Sequence, residues 1–147
     1  MTKVCLSAIL LLLLCLVGCM SPPETATVIQ VIDGDTIIIE GNYRVRYIGI
    51  DTPEIYPIQE AYAIEAWQLN RELVEGKEVR LERDVSETDK YGRLLRYVYV
   101  GDIFVNAELV RLGLAEAKAY PPDVKYQDYL EKLESAARKA GIGIWAK

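Results

Sequence analysis

Apolar positions along the chain change their spacing several times, and each change marks an element. Val28-Ile29-Gln30-Val31-Ile32 and Thr36-Ile37-Ile38-Ile39 are short β-branched runs flanking Asp33-Gly34-Asp35, a strand–turn–strand pattern. Gly41-Asn42 turns the chain again into a run from Tyr43 to Ile50. The period then lengthens: Tyr62, Ala66, Leu69 and Leu73 recur at helical spacing, with Gly76 just past the end. Glu78 to Arg83 and Leu94 to Val100 return to strand character, and Gly101-Asp102 folds the second back into Ile103-Phe104-Val105. Asn106 is placed to cap a short helix through Leu112, closed by Gly113. After Pro121-Pro122-Asp123, a last helix carries Tyr126, Tyr129, Leu130, Leu133, Ala137 and Ala140 on one stripe. About five short strands and three helices in this length predict an α+β fold, mainly β. The expected architecture is a five-stranded OB-fold barrel with three helices packed on it, spanning 27–147.

The N-terminus breaks from this pattern. Lys3 is followed by an uncharged segment from Val4 to Val17, with five consecutive leucines at Leu10 to Leu14. A charged start, an apolar core shorter than the roughly 20 residues of a spanning helix, and a small-residue exit predict a signal peptide over 1–18. Its end, Leu16-Val17-Gly18-Cys19, has the form of a lipobox, which makes Cys19 the expected lipidation site. Residues 19–26, with Pro22-Pro23, then read as a linker. The expected location is extracytoplasmic, as a membrane-anchored lipoprotein; ordinary secretion is the alternative.

Composition narrows the chemistry. Cys5 and Cys15 lie in the signal segment, Cys19 at its exit, and the chain has no histidine. A mature domain so made has no disulfide framework, no cysteine or histidine metal site and no histidine general base. Carboxylates, arginines, tyrosines and a hard cation are what remain. The formal net charge of −5 sits awkwardly with a polyanionic substrate. Arg44, Arg46, Lys90, Arg93, Lys118 and Lys125 are the candidates for a local positive side. The acidic balance predicts weak, strongly salt-sensitive binding.

Three segments carry candidate chemistry. Asp33-Gly34-Asp35 sets two carboxylates at one turn, although Asp-Gly is also an ordinary hairpin pair. Arg44-Val45-Arg46 leads into Asp51-Thr52-Pro53-Glu54, two carboxylates suited to a hard cation and a water, or equally a strand end with solvated charges. Asp89-Lys90-Tyr91-Gly92-Arg93 suits a phosphate-contacting turn, and also an exposed polar loop. Arg46 and Asp51 are an odd number of residues apart and converge only if the strand bends or ends between them, a role open to Gly49.

In this order and spacing the three segments, together with Asn106 to Ala115 and the terminal Ile144-Trp145, resemble the staphylococcal-nuclease (thermonuclease) family from about Thr27 to Trp145. The resemblance implies an OB-type barrel and a calcium-dependent phosphodiesterase acting on DNA, RNA or both. It implies 5′ P–O cleavage that leaves 3′-phosphates. Asp35, Asp51 and the carbonyl of Thr52 would hold Ca2+, with Asp33 behind them. Glu54 would act as general base or water-orienter, and Arg46 and Arg93 would stabilise the transition state. Lys90, Tyr91 and Tyr120 would contact substrate. A monomer is expected, with nucleic acid as substrate partner and the membrane as anchor partner. The chain departs from the family pattern at Ile55-Tyr56-Pro57-Ile58-Gln59, where a basic loop is usual, and at Pro121-Pro122 beside Tyr120. A non-catalytic barrel of the family and an oligosaccharide-binding envelope lipoprotein are the competing readings; retention of all five residues Asp35, Arg46, Asp51, Glu54 and Arg93 argues against both.

Overall fold

The computed structural model describes residues 21–147; the expected signal segment, lipobox and Cys19 lie outside the described residues. The chain runs β1 (Thr25–Val31), β2 (Thr36–Ile39), a 3-10 turn (Glu40–Asn42), β3 (Tyr43–Tyr47) and β4 (Ile50–Asp51). It continues through α1 (Ala63–Val74), β5 (Glu78–Glu82), β6 (Leu94–Val100), β7 (Ile103–Phe104) and α2 (Val105–Arg111). β8 (Glu116–Ala117), α3 (Gln127–Ala140) and a closing 3-10 turn (Gly143–Trp145) complete it. Strand order β3-β2-β1-β5-β6 closes through parallel pairing of β3 with β6, giving the expected five-stranded barrel with three helices. No helix among the described residues is long and apolar enough to cross a membrane.

β1 makes closure possible by serving two neighbours. Thr25 to Thr27 pair with β5, and beyond that Val28 to Val31 pair with β2, with a register shift between Val28 and Gln30. Such an irregularity bends a strand and lets it pass from one side of a barrel to the other. β1 therefore starts at Thr25, inside the segment expected to be linker, because buried Ala26 opposite Val79 is already part of the barrel wall. Alternation along β3 sends Val45 and Tyr47 inward and leaves Arg44 and Arg46 outside.

Other boundaries shift for physical reasons. The run from Tyr43 to Ile50 is two strands, because Gly49 adopts a left-handed φ of 78° and breaks it. Gly49 also lies under α3, where an added Cβ would sit 2.7 Å from Leu130 Cδ1, so any other residue would strain the left-handed backbone and push the Leu130 side chain aside. Val105 belongs to α2 rather than to the preceding strand. Asn106 does not cap that helix: it is fully buried, accepts from Val98 N–H (2.9 Å) and donates to Ile48 C=O (2.9 Å). The stripe on α3 is narrower than its sequence suggests, since Leu130 and Ala137 are buried while Tyr129 and Ala140 are exposed.

α1 supports the β1–β2 hairpin. Trp67 Nε1 donates to Val31 C=O (3.2 Å), and Asn70 Nδ2 donates to Asp33 C=O (3.0 Å). Asn70 in turn accepts from the buried Tyr47 hydroxyl at 2.8 Å. Helix, hairpin turn and strand β3 are thus tied by satisfied buried polar groups, which fix a position more sharply than apolar contact does.

Candidate active site

Asp35 leaves the β1–β2 turn 5% exposed, held by backbone geometry and by its neighbours. Asp33 Oδ1 accepts from Asp35 N–H (3.0 Å) and so shapes the turn from behind. Gly34 allows close approach, because a Cβ there would lie 2.7 Å from the Thr52 side chain. Thr52 gives both its N–H (2.9 Å) and its hydroxyl (3.0 Å) to Asp35 Oδ2, and Thr36 gives its hydroxyl to Oδ1 (3.2 Å). Burial pushes the Asp35 carboxyl up to about 6, assisted by Asp33, against the opposing pull of Arg46 and the Thr52 hydrogen bonds.

Arg46 joins two segments. Its Nη1 lies 3.1 Å from Asp35 Oδ2 and its Nη2 2.8 Å from Asp51 Oδ1. Nη1 also donates to the carbonyls of Tyr47 (2.9 Å) and Ile50 (3.1 Å), which wraps the guanidinium around the Gly49 bend. Nε and one Nη2 proton remain to donate elsewhere. Asp51 is shared with Lys118, whose Nζ lies 2.6 Å from Oδ2. Beyond it, Glu54 and Glu60 clasp the intervening loop: Glu54 N–H donates to Glu60 Oε2 (2.7 Å) and Glu60 N–H to Glu54 C=O (2.9 Å). Inside that loop Tyr56 and Ile58 are exposed. Burial first, then the fields of Asp35 and Asp51, raise the Glu54 carboxyl above its ordinary value.

The third segment is an Asp-centred turn. Asp89 Oδ1 accepts from Tyr91 N–H (2.9 Å) and Arg93 N–H (3.0 Å), and Oδ2 accepts from Arg93 Nε at 2.7 Å. Gripped at Nε, Arg93 has no acceptor for its two Nη nitrogens among the described residues. Lys90 and Arg93 both lie near the Tyr91 ring, 5.0 and 5.6 Å from its centroid.

These segments meet around one cavity of ≈ 670 Å³, lined among others by Asp33, Asp35, Arg46, Asp51, Glu54, Lys90, Tyr91, Arg93 and Tyr120. Of the catalytic, metal-binding and substrate residues expected from sequence, only Thr52 is absent from the lining; it sits behind, on Asp35. Arg44 and Lys125 stay outside, Lys125 being paired with Glu82. Sequence reasoning gave Asp89, Asp123 and the Lys118–Asp51 pair no role. Asp89 had a signal, since an Asp four residues before an Arg across a Gly turn is a local capping pattern. Asp123 is 3% exposed and accepts from Val85 N–H (3.0 Å) and Ser86 N–H (2.7 Å), a long-range link that nothing local announces.

The wall carries six carboxylates (Asp33, Asp35, Asp51, Glu54, Asp89, Asp123) against four cations (Arg46, Lys90, Arg93, Lys118). Among the described residues no three Asp, Glu, His or Cys gather into a metal cage. The oxygen-only donors at Asp35, Asp51 and Thr52, with carboxylate charge in excess, nevertheless fit a hard cation that keeps much of its water.

A closed OB-type barrel with a carboxylate–arginine cleft beside its β1–β2 turn is the class that fold and site define. The model of the family described as staphylococcal nuclease homologue matches residues 44–147, and the chain belongs to that family. It is 43% identical over 131 residues to the thermonuclease of Staphylococcus intermedius, covering 84% of this chain and 77% of the relative. It is 42% identical to the thermonuclease of Staphylococcus hyicus, over 84% of this chain and 76% of that one. Endonuclease YncB of Bacillus subtilis (strain 168) is 40% identical over 82% of this chain and 61% of its own length.

Proposed function

We propose that the protein is a Ca2+-dependent nuclease that hydrolyses phosphodiester bonds of DNA, RNA or both at the 5′ P–O bond, leaving 3′-phosphates. The observation that carries this reading is the single cavity in which Arg46 bridges Asp35 and Asp51 while Glu54 and Arg93 face the same space. Asp35, Asp51 and the Thr52 carbonyl would hold the cation, which when bound supplies charge neutralisation and polarises a phosphoryl oxygen. Glu54, with its raised proton affinity, takes a proton from the attacking water, a contribution of roughly 10²–10⁴-fold. Arg93 presents its unpaired Nη edge to the phosphate, and Arg46 donates from Nε and Nη2 as charge builds on the equatorial oxygens. Lys90 and Tyr91 extend the contact to a neighbouring phosphate, and Tyr120 offers a ring face to a base. The membership of the family and the names of its relatives support this assignment.

The test is cleavage of single-stranded DNA and RNA by residues 20–147 with Ca2+, repeated with EDTA. Cation-dependent release of fragments ending in 3′-phosphate is expected; cleavage that persists in EDTA contradicts the reading. Tethering through a lipidated Cys19 outside the cytoplasm is part of the same proposal and rests on the Leu16-Val17-Gly18-Cys19 sequence. Cys19→Ser is expected to release the protein from membranes; unchanged retention contradicts a lipid tether.

A further inference from the structure

Lys118 has no part in the chemistry above, yet it makes the shortest polar contact to either candidate metal-binding aspartate among the described residues, Nζ to Asp51 Oδ2 at 2.6 Å. Its position is built rather than incidental. β8 pairs with β4 so that Glu116 lies opposite Asp51, and Lys118 N–H donates to Gly49 C=O at 2.8 Å. The backbone is therefore pinned beside Asp51, while the half-exposed side chain can swing into solvent. Arg46 already occupies Oδ1 of the same carboxylate at 2.8 Å. Both Asp51 oxygens thus carry a cationic donor, and only the Lys118 one can leave without disturbing the buried Arg46 network.

We propose that Lys118 is a tethered competitor for the divalent cation at Asp51, so that the site fills only where free cation is abundant. The inference rests on the metal assignment proposed above. A cation that takes Asp51 Oδ2 must displace the ammonium, and an ammonium covalently held beside the carboxylate competes at a high local concentration whatever the bulk salt. Because the pair is half exposed, the ammonium recovers its hydration when it leaves, which limits the effect to a few-fold.

Calorimetric titration of Ca2+ into the nucleic-acid-free protein, its Asp51→Asn form, Lys118→Met and Lys125→Met tests this. Lys125→Met removes the same charge from an exposed pair with Glu82, away from the cavity. Lys118→Met is expected to bind Ca2+ about 2- to 5-fold tighter than wild type, with Lys125→Met unchanged. Where wild type shows no measurable binding, its appearance in Lys118→Met supports the proposal and its absence from both overturns it. Unchanged or weaker binding by Lys118→Met overturns it, as does equal tightening by Lys125→Met, which would reduce the effect to overall charge. If wild type binds Ca2+ and Asp51→Asn binds it just as well, the metal assignment itself falls, and the proposal with it.

Discussion

Arg46 Nη2 meets Asp51 Oδ1 at 2.8 Å although the two residues stand five apart in the chain, because β3 ends at Tyr47 and Gly49 turns Asp51 back over the strand. The same guanidinium reaches Asp35 at 3.1 Å, so one planar fork holds two carboxylates in fixed relation. Lysine offers a point charge and can satisfy only one of them. Arg46→Lys is expected to lower kcat about 10²–10³-fold, with a smaller change in KM, as for loss of a group that acts in the transition state. Steady-state kinetics check this; a kcat close to wild type contradicts it.

Asp35 is stabilised as a site rather than as a fold. Its folded pKa, about 6, lies above its ordinary 3.8, so its contribution to stability is fully present below about pH 4 and is lost as pH rises through 6. Ionised Asp35 therefore costs the metal-free fold on the order of 2–3 kcal/mol at neutral pH. Asp35→Asn is expected to raise the thermal stability of metal-free protein at pH 7, with the gain shrinking towards zero below about pH 4. Thermal melts across pH in EDTA measure it; destabilisation by Asp35→Asn at pH 7 contradicts it.

Asp89 holds Arg93 at Nε and organises the turn through two backbone N–H groups. Burial alone would raise this carboxyl, but the hydrogen bonds from Arg93 and Tyr91 outweigh it and hold Asp89 below its ordinary value. The turn is therefore most firmly held above the unfolded carboxyl range, and this support is lost as pH falls through the lowered value. Asp89→Ala is expected to cut kcat/KM about 10- to 100-fold by releasing Arg93. Asp89→Asn, which keeps the acceptor for the backbone, is expected to lose less. Equal activity of wild type and Asp89→Ala contradicts this account of the turn.

The strands and the three helices are legible in the sequence because they depend on local signals: β-branched runs, glycine turns and helical spacing. The convergence of Arg46 and Asp51 is not, since strand alternation sets them on opposite faces; the family resemblance implies it, and the sequence offers Gly49 only as one place where β3 could end. Residues that act across the fold are not legible. Asn106 looks like a cap because Asn caps helices, but its amide is used 58 residues away, on Ile48. Lys118 lies 67 residues from Asp51, brought there by a two-residue ladder too short to leave a pattern. The start of β1 at Thr25 is hidden because Thr-Ala-Thr has neither strong alternation nor bulk.

Charge placement also revises the expected salt response. Arg44 and Lys125 lie outside the cavity, and in the cation-free protein Lys118 is paired with Asp51, which under the proposed function leaves chiefly Arg46, Lys90 and Arg93 for phosphate. Three phosphate contacts on a single strand imply a slope of about −2 in log affinity against log salt. The strong dependence suggested by the acidic composition thus becomes a modest one. Fluorescence anisotropy of a labelled oligonucleotide across salt in EDTA checks it; a slope several times steeper contradicts the assignment of contacts.

In the proposed function Glu54 is the group that takes the proton from water. The most direct measurement is kcat of Glu54→Gln against wild type on single-stranded DNA at saturating Ca2+, with Ca2+ binding measured on both. A fall in kcat of roughly 10²–10⁴-fold, with Ca2+ binding and fold retained, is the expected result. Undiminished cleavage by Glu54→Gln would contradict it.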